Sequence, residues 1–312
     1  MLDYLDIPKS QNGYIDTFRG NSTGDTWQVW NKPRGISMIQ ITCIGGGGGG
    51  AGGYCRNTNS TRTGGAGGGS GGFSKFTIPA IFLPDIFYIS VGHGGAGGER
   101  SFVDLSGNGG TSGTASYVSI APSTGAIYVI CAANAGGGGG TPSSTSSAAG
   151  SAAAVLSRSS ALMSALGSLL VIAGQAGGAG SYNSWTDLTY PTTGLLLSGG
   201  GPGAGSTGNR GGNITAPTQS SFTLFSTVLG GTSESTGLVG QFGIELYQPL
   251  LSTGGAGGGG GNSITLGANT SGSSGGAGGF GSGGGGGGTG QLVGGSGAGG
   301  KGGDGLIVIH SW

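Results

Sequence analysis

Six glycines stand in succession at Gly45–Gly50, and six more at Gly283–Gly288. A block of this kind has no side chain to bury, so neither an amphipathic helix nor an alternating strand can hold it. Glycine also loses more backbone freedom on folding than any other residue. Such blocks order only where their own N–H and C=O groups find partners in neighbouring chain. They recur throughout, because glycine supplies 83 of the 312 residues.

The blocks have an inner order. In 297–305, Ala298, Lys301 and Asp304 fall three apart, with glycine at every other place. His93, Ala96 and Glu99 repeat that spacing, as do Ala51 and Tyr54, Ala176 and Ala179, and Ala277 and Phe280. Three residues per turn is the period of the polyproline II helix, which makes no internal hydrogen bonds. Collagen shares the period but needs abundant proline, and only ten prolines are spread over this chain. Two glycines and one larger residue per turn give two bare ridges and one decorated ridge. Bare ridges let helices approach until backbone bonds to backbone. Gly45–Gly50 and Gly283–Gly288 then belong at the centre of a bundle, and the two-plus-one runs outside it, with His93 and Lys301 facing water. At about 3.1 Å per residue, a six-residue run spans roughly 19 Å.

Short apolar runs adjoin the glycine: "MIQITCI", "DIFYISV", "AIYVICA" and the closing "LIVIHSW". Their β-branched and aromatic residues, bounded by glycine, predict strands, and their number argues against disorder. The expected fold is mainly β: β-sandwich, jelly-roll-like strands merged with a bundle of packed polyglycine II helices. Val155, Leu156, Leu162, Met163 and Leu166 predict one short α-helix over 151–166. Residues 1–35 hold eight of the charged residues together with Tyr4, Tyr14, Phe18, Trp27 and Trp30, and read as a separate N-terminal arm. The body is then 36–312, with a variable insertion at about 141–253.

Charge excludes several functions. Lysine plus arginine balance aspartate plus glutamate at 11 each, and charged residues are 7% of the chain. Nucleic-acid binding needs a basic stripe that this chain lacks. So little charge also predicts poor solubility alone, and hence life inside an assembly. Three cysteines make no disulfide framework. "MLDYLDIPKS" does not read as a secretory signal, and no apolar run is long enough to span a bilayer, so no membrane insertion is expected. The sequons at Asn21, Asn59, Asn213 and Asn269 then read as accidental. His93 and His310 have no acid or nucleophile at motif spacing, and no Cys or His pair reads as a metal site. The expectation is no enzyme, no cofactor and no metal.

Binding surfaces are better marked. "SYNSWTDLTYPTTGLLL" sets Tyr182, Trp185 and Tyr190 among small polar residues, as in a recognition surface built of rigid rings. "TGNRGGNITAPTQ" is a second such loop, with Arg210 as its one charge. These four are candidate receptor-binding residues; the competing reading packs the rings against the bundle. Tyr14, Phe18, Trp27 and Trp30 are candidate docking residues; the competing reading makes them an ordinary first strand over the core.

"TWQVWNKPRGISMIQITCIGGGGGGAGG", "FLPDIFYISVGHGGAGG" and "GGKGGDGLIVIHSW" together resemble the glycine-rich structural proteins of tailed bacteriophages. More loosely, the chain is similar to the tail-fibre adhesins of T-even-like phages and to the extracellular glycine-rich domain of the anaplastic lymphoma and leukocyte tyrosine kinases. The resemblance covers the first and last thirds. It implies a virion protein assembled in the host cytoplasm: a tail-fibre or appendage component, or alternatively a capsid decoration, head fibre or connector that cements its neighbours. It further implies other virion proteins as partners, a homo-oligomer (a trimer, by the habit of viral fibres), and a host surface receptor met by the 181–197 and 207–219 loops.

Overall fold

The computed structural model describes residues 13–20, 27–56, 61–102, 105–155, 166–182, 186–191, 197–207, 210–216, 226–233, 236–247, 250–260, 270–291 and 294–312. Among them the chain is mainly β. The strands of four residues or more are β1 (Tyr14–Arg19), β2 (Gln28–Asn31), β3 (Met38–Ile44), β4 (Phe73–Pro79), β5 (Ile86–Ser90), β6 (Ser116–Ser119), β7 (Val129–Ala133), β8 (Ser168–Ile172) and β9 (Leu306–Ser311). One antiparallel sheet has the order β1-β9-β3-β4-β8, and a second has β2-β5-β6-β7.

The two sheets share a core. Ile39 and Ile41 of β3, Phe76 of β4 and Ile309 of β9 meet Phe87 of β5 and Val118 of β6 in one buried cluster. Cys43 and Cys131 lie in the same cluster with their thiols free, and burial pushes the Cys43 thiol well up. The first sheet is covered on its other side as well. There Ile44, Phe73 and Leu306 pack with Leu197 and Phe280, so "MIQITCI" lacks the clean alternation of a half-exposed strand.

The glycine runs continue the strands. From β3 the chain passes directly into 45–53, where Gly45, Gly48, Ala51 and Tyr54 donate to the carbonyls of Gly72, Gly69, Ala66 and Thr63. Gly46, Gly49 and Gly52 donate to Thr114, Thr111 and Asn108, and Gly47, Gly50 and Gly53 to Gly303, Gly300 and Gly297. In each series the donor climbs by three while the acceptor falls by three, so these three neighbours run antiparallel. Three parallel neighbours donate in return: Gly95 and Gly98 to Gly47 and Gly50, Gly136 and Gly139 to Gly46 and Gly49, Gly284 and Gly287 to Gly48 and Ala51. Run 45–53 is therefore ringed by six others, every contact repeating at three residues. That is a polyglycine II array. Run 283–288 is a second such centre, as the sequence predicts, bonded to 198–204, 45–53, 270–276, 63–72, 254–260 and 295–303.

Close approach explains the composition. A Cβ on Gly48, Gly49 or Gly50 would stand 2.0, 2.0 or 2.1 Å from the carbonyl oxygen of Gly137, Ala96 or Gly285. No side chain fits there. On an outer run only two of every three positions are so confined. Gly299 and Gly302 face Gly50 and Gly47 and Gly300 and Gly303 face Gly276 and Gly279, each at 2.2 Å or less, while Lys301 stands exposed. His93, half-buried, and the exposed Ala96 and Glu99 hold the same outward place on 92–99.

Three expectations change. The described part of the supposed N-terminal arm is not separate: β1 and β2 are edge strands of the two sheets. Trp30 is 5% exposed, stacks on Phe87 at 5.2 Å, and donates from Nε1 to Asp16 Oδ2 at 2.7 Å. Phe18 packs against the core and Trp27 is half-buried, which leaves Tyr14 as the one exposed docking candidate. Second, residues 156–165 of the expected helix lie outside the described residues; its start, 151–155, is not helical, while Leu166 at its end is. Ser151 and Ala153 accept from Gly137 and Gly174, and Ala153 donates to Ser70, so their backbone groups are spent sideways on the array. Third, the 141–253 stretch is not set apart. Its runs at 174–180 and 197–205 bond to 63–72 like any other member.

The array makes a residue-level prediction. Ala298, Lys301 and Asp304 donate no backbone bond to any described residue, whereas Gly299, Gly300, Gly302 and Gly303 donate to Gly98, Gly285, Gly95 and Ser282. Amide exchange followed by NMR is expected to be fast at those three positions and slow at the four glycines between them. Uniform exchange along 297–305 would contradict the bonding pattern.

Candidate functional site

Strand direction fixes which loops share an end. Runs 45–53, 92–98, 136–140 and 283–288 leave the sheets, and 63–72, 108–114 and 297–305 return to them. Their links therefore gather at the end of the array farthest from the sheets. Each link is held on both sides by hydrogen-bonded glycine.

One link is 99–106, of which residues 99–102 and 105–106 are described. The guanidinium of Arg100 lies 4.6 Å over the Phe102 ring, and Phe102 and Leu105 are 48% and 63% exposed. The ring rests on Gly295, whose φ of 73° and missing Cβ both suit the contact. Ser101 and Ser296 clamp the two links together: the Ser101 N–H donates to Ser296 Oγ at 2.8 Å, and the Ser296 N–H to the Ser101 carbonyl at 2.8 Å. Sequence reading missed this platform, although "ERSFVDL" is a charged and apolar island between two glycine runs.

The candidate receptor residues divide. Tyr182 is half-buried, and its carbonyl accepts from the Thr207 hydroxyl at 2.7 Å. Arg210 holds Asp187 through two bonds of 2.8 Å, and the Asn213 N–H adds a third at 3.0 Å. This pair ties the two expected loops together, so Arg210 is a half-buried structural tie. Trp185 lies outside the described residues. Tyr190 is not at this end; it is 4% exposed, packed with Leu251 and Leu246 toward the sheets, and burial raises its phenol pKa. The packing alternative holds for that ring.

A second concentration of polar groups lies where sheet and array meet. Arg19, Glu245, Tyr247, Phe280, Lys301 and Asp304 line an open cleft of about 270 Å³. Arg19 lies 4.7 Å over the Tyr247 ring, Lys301 pairs with Asp304 at 2.9 Å, and the Tyr247 hydroxyl donates to Glu245 at 3.1 Å. Burial, then the Glu245 charge, raises the Tyr247 phenol against the opposing pull of Arg19. Its groups are mostly occupied with one another. Among the described residues no three His, Cys, Asp or Glu side chains gather as a metal set, and no helix is long and apolar enough to cross a membrane.

A family model described as a glycine-rich domain matches residues 21–312. The chain belongs to that glycine-rich domain family. None of the curated proteins compared with it matches. The match begins ahead of β2 and runs to the last residue, so in this glycine-rich domain the middle stretch and the array belong to one unit.

Asp187 supplies the test of the loop tie. Burial alone would raise its pKa, but the Arg210 and Asn213 bonds and the Arg210 charge outweigh it and hold the carboxyl below its ordinary value. A depressed folded pKa stabilises the tie above the unfolded value and loses it as pH falls through the folded one, here below the ordinary aspartate range. Carboxyl NMR should show Asp187 titrating below an ordinary aspartate in the wild type and shifted upward in Arg210→Ala. An unchanged titration would mean that the pair is not formed in solution.

Proposed function

We propose that this glycine-rich domain is a virion structural protein of a tailed bacteriophage, a tail-fibre or appendage component whose loop end contacts the host surface. The observation that carries the reading is the display geometry. Exposed Phe102 and Leu105, with Arg100, stand on a link anchored at both sides by glycine runs. Loops held that way lose little further entropy on binding, which is what a recognition surface needs. The phage-type motifs around the glycine runs supply the setting: assembly in the host cytoplasm, other virion proteins as neighbours, and copies of the chain joined in an oligomer.

One observation favours the alternative of a decoration, head-fibre or connector role. Val29, Ile81, Phe82, Ile86 and Ile127, at the sheet end, are 45–85% exposed. An apolar surface at the end away from the loops suits a cementing contact with a neighbour.

The two readings separate by experiment. Under the first, purified protein competes with virions for host cells and lowers adsorption, and Phe102→Ala with Leu105→Ala weakens that competition by at least tenfold. Undiminished adsorption at saturating protein would overturn it. Gold-labelled antibody against 99–106 should then mark the tail or its fibres; label over the head favours the cementing role.

A further inference from the structure

The array ends abruptly at its flank, although nothing in its bonding requires it to. On run 297–305 the N–H groups of Ala298, Lys301 and Asp304 donate to no described residue, and the carbonyls of Gly299 and Gly302 accept from none. On the adjoining run the carbonyls of Gly94 and Gly97 likewise accept from no described residue. Donors and acceptors thus stand along this flank at three-residue steps, the same steps by which 45–53 engages its six neighbours. It is a lattice edge, the glycine counterpart of an open sheet edge.

We propose that the side chains at every third position of the outer runs keep the array finite by blocking a second copy of this chain from adding its flank to this edge. Inside the array a neighbour's carbonyl oxygen stands about 2 Å from where a Cβ would be, as at Gly48 and Gly302. A helix approaching the flank at that spacing meets real Cβ atoms at Ala96, Glu99, Ala298, Lys301 and Asp304. Lys301 and Glu99 add hydrated charge on an otherwise charge-poor chain. Two edge donors are also capped from within: the His93 and Ala96 N–H groups donate to the Thr114 and Thr111 hydroxyls, each at 2.7 Å. Ala176 and Ala179 stand exposed on 174–180, so the rule holds on a separate flank of the molecule.

The edge carries donors and acceptors together, so the freed edges of two copies can satisfy each other. Removing the blocking atoms should therefore convert a discrete species into one that associates as concentration rises.

Sedimentation velocity over a range of concentrations tests this on the full chain. The variant Ala96→Gly/Glu99→Gly/Ala298→Gly/Lys301→Gly should raise the weight-average mass toward twice that of the wild type as concentration increases. The control Glu99→Ala/Lys301→Ala removes the charges and retains each Cβ, and it should sediment as the wild type does. A folded glycine variant of unchanged mass overturns the proposal. So does equal association of the alanine control, which would assign the effect to charge alone. If the fourfold variant does not fold, Ala298→Gly/Lys301→Gly is read by the same criteria, since that run is flanked by glycine on both sides.

Discussion

The structure depends on one contact: a backbone carbonyl of one glycine run placed where the Cβ of a neighbouring run would be. At Gly48 the distance is 2.0 Å, and the same value recurs across the interior of the array. This approach lets an N–H of one extended run reach a C=O of the next. Without it the interior would hold orphaned polar groups, each costing about 1–3 kcal/mol. Glycine's entropy loss is offset only if nearly all of those groups are paired. A single added methyl in the interior therefore disturbs several runs together.

The sheets solve the problem that the array creates. Glycine runs carry no side-chain pattern to set their register, and a slip by three residues would leave every bond type intact. The strands supply the missing registration. β3 pairs with β4 and β9 through fixed partners such as Ile41 with Phe76 and Ile309. The same three chains then continue as 45–53, 63–72 and 297–305, still neighbours and still antiparallel. The Ile, Phe and Val core drives collapse, and the array extends that order outward to the loop end.

Much of this was legible in the sequence, and what was not has physical reasons. The period of three places Lys301 outward and Gly45–Gly50 at the centre, because spacing within one run decides which ridge is bare, whereas His93, expected in water, is half-buried. Strand positions follow from apolar runs in the same local way. Burial of Trp30 could not be read so. It depends on Phe87 and on Asp16 of the other sheet's edge, a meeting fixed by pairing of β1 with the distant β9. Tyr190 could be read either way, because a ring among serines and threonines looks exposed until Leu251 is brought over it. Ser151–Ala153 read as helix because alanine favours it, yet lateral bonds to Gly137, Ser70 and Gly174 take the groups that a helix would use. In each case a partner far along the chain overrides a local preference.

The central claim is that interior glycine is required by carbonyl approach and not by flexibility. The most direct measurement is the unfolding free energy of Gly48→Ala and Gly285→Ala against Ala176→Gly, from denaturant titrations. Forced overpacking predicts a loss of about 3 kcal/mol or more at the two interior sites. The outward Ala176 site should change by no more than about 1 kcal/mol. Interior alanines that cost less than the outward glycine would contradict the account.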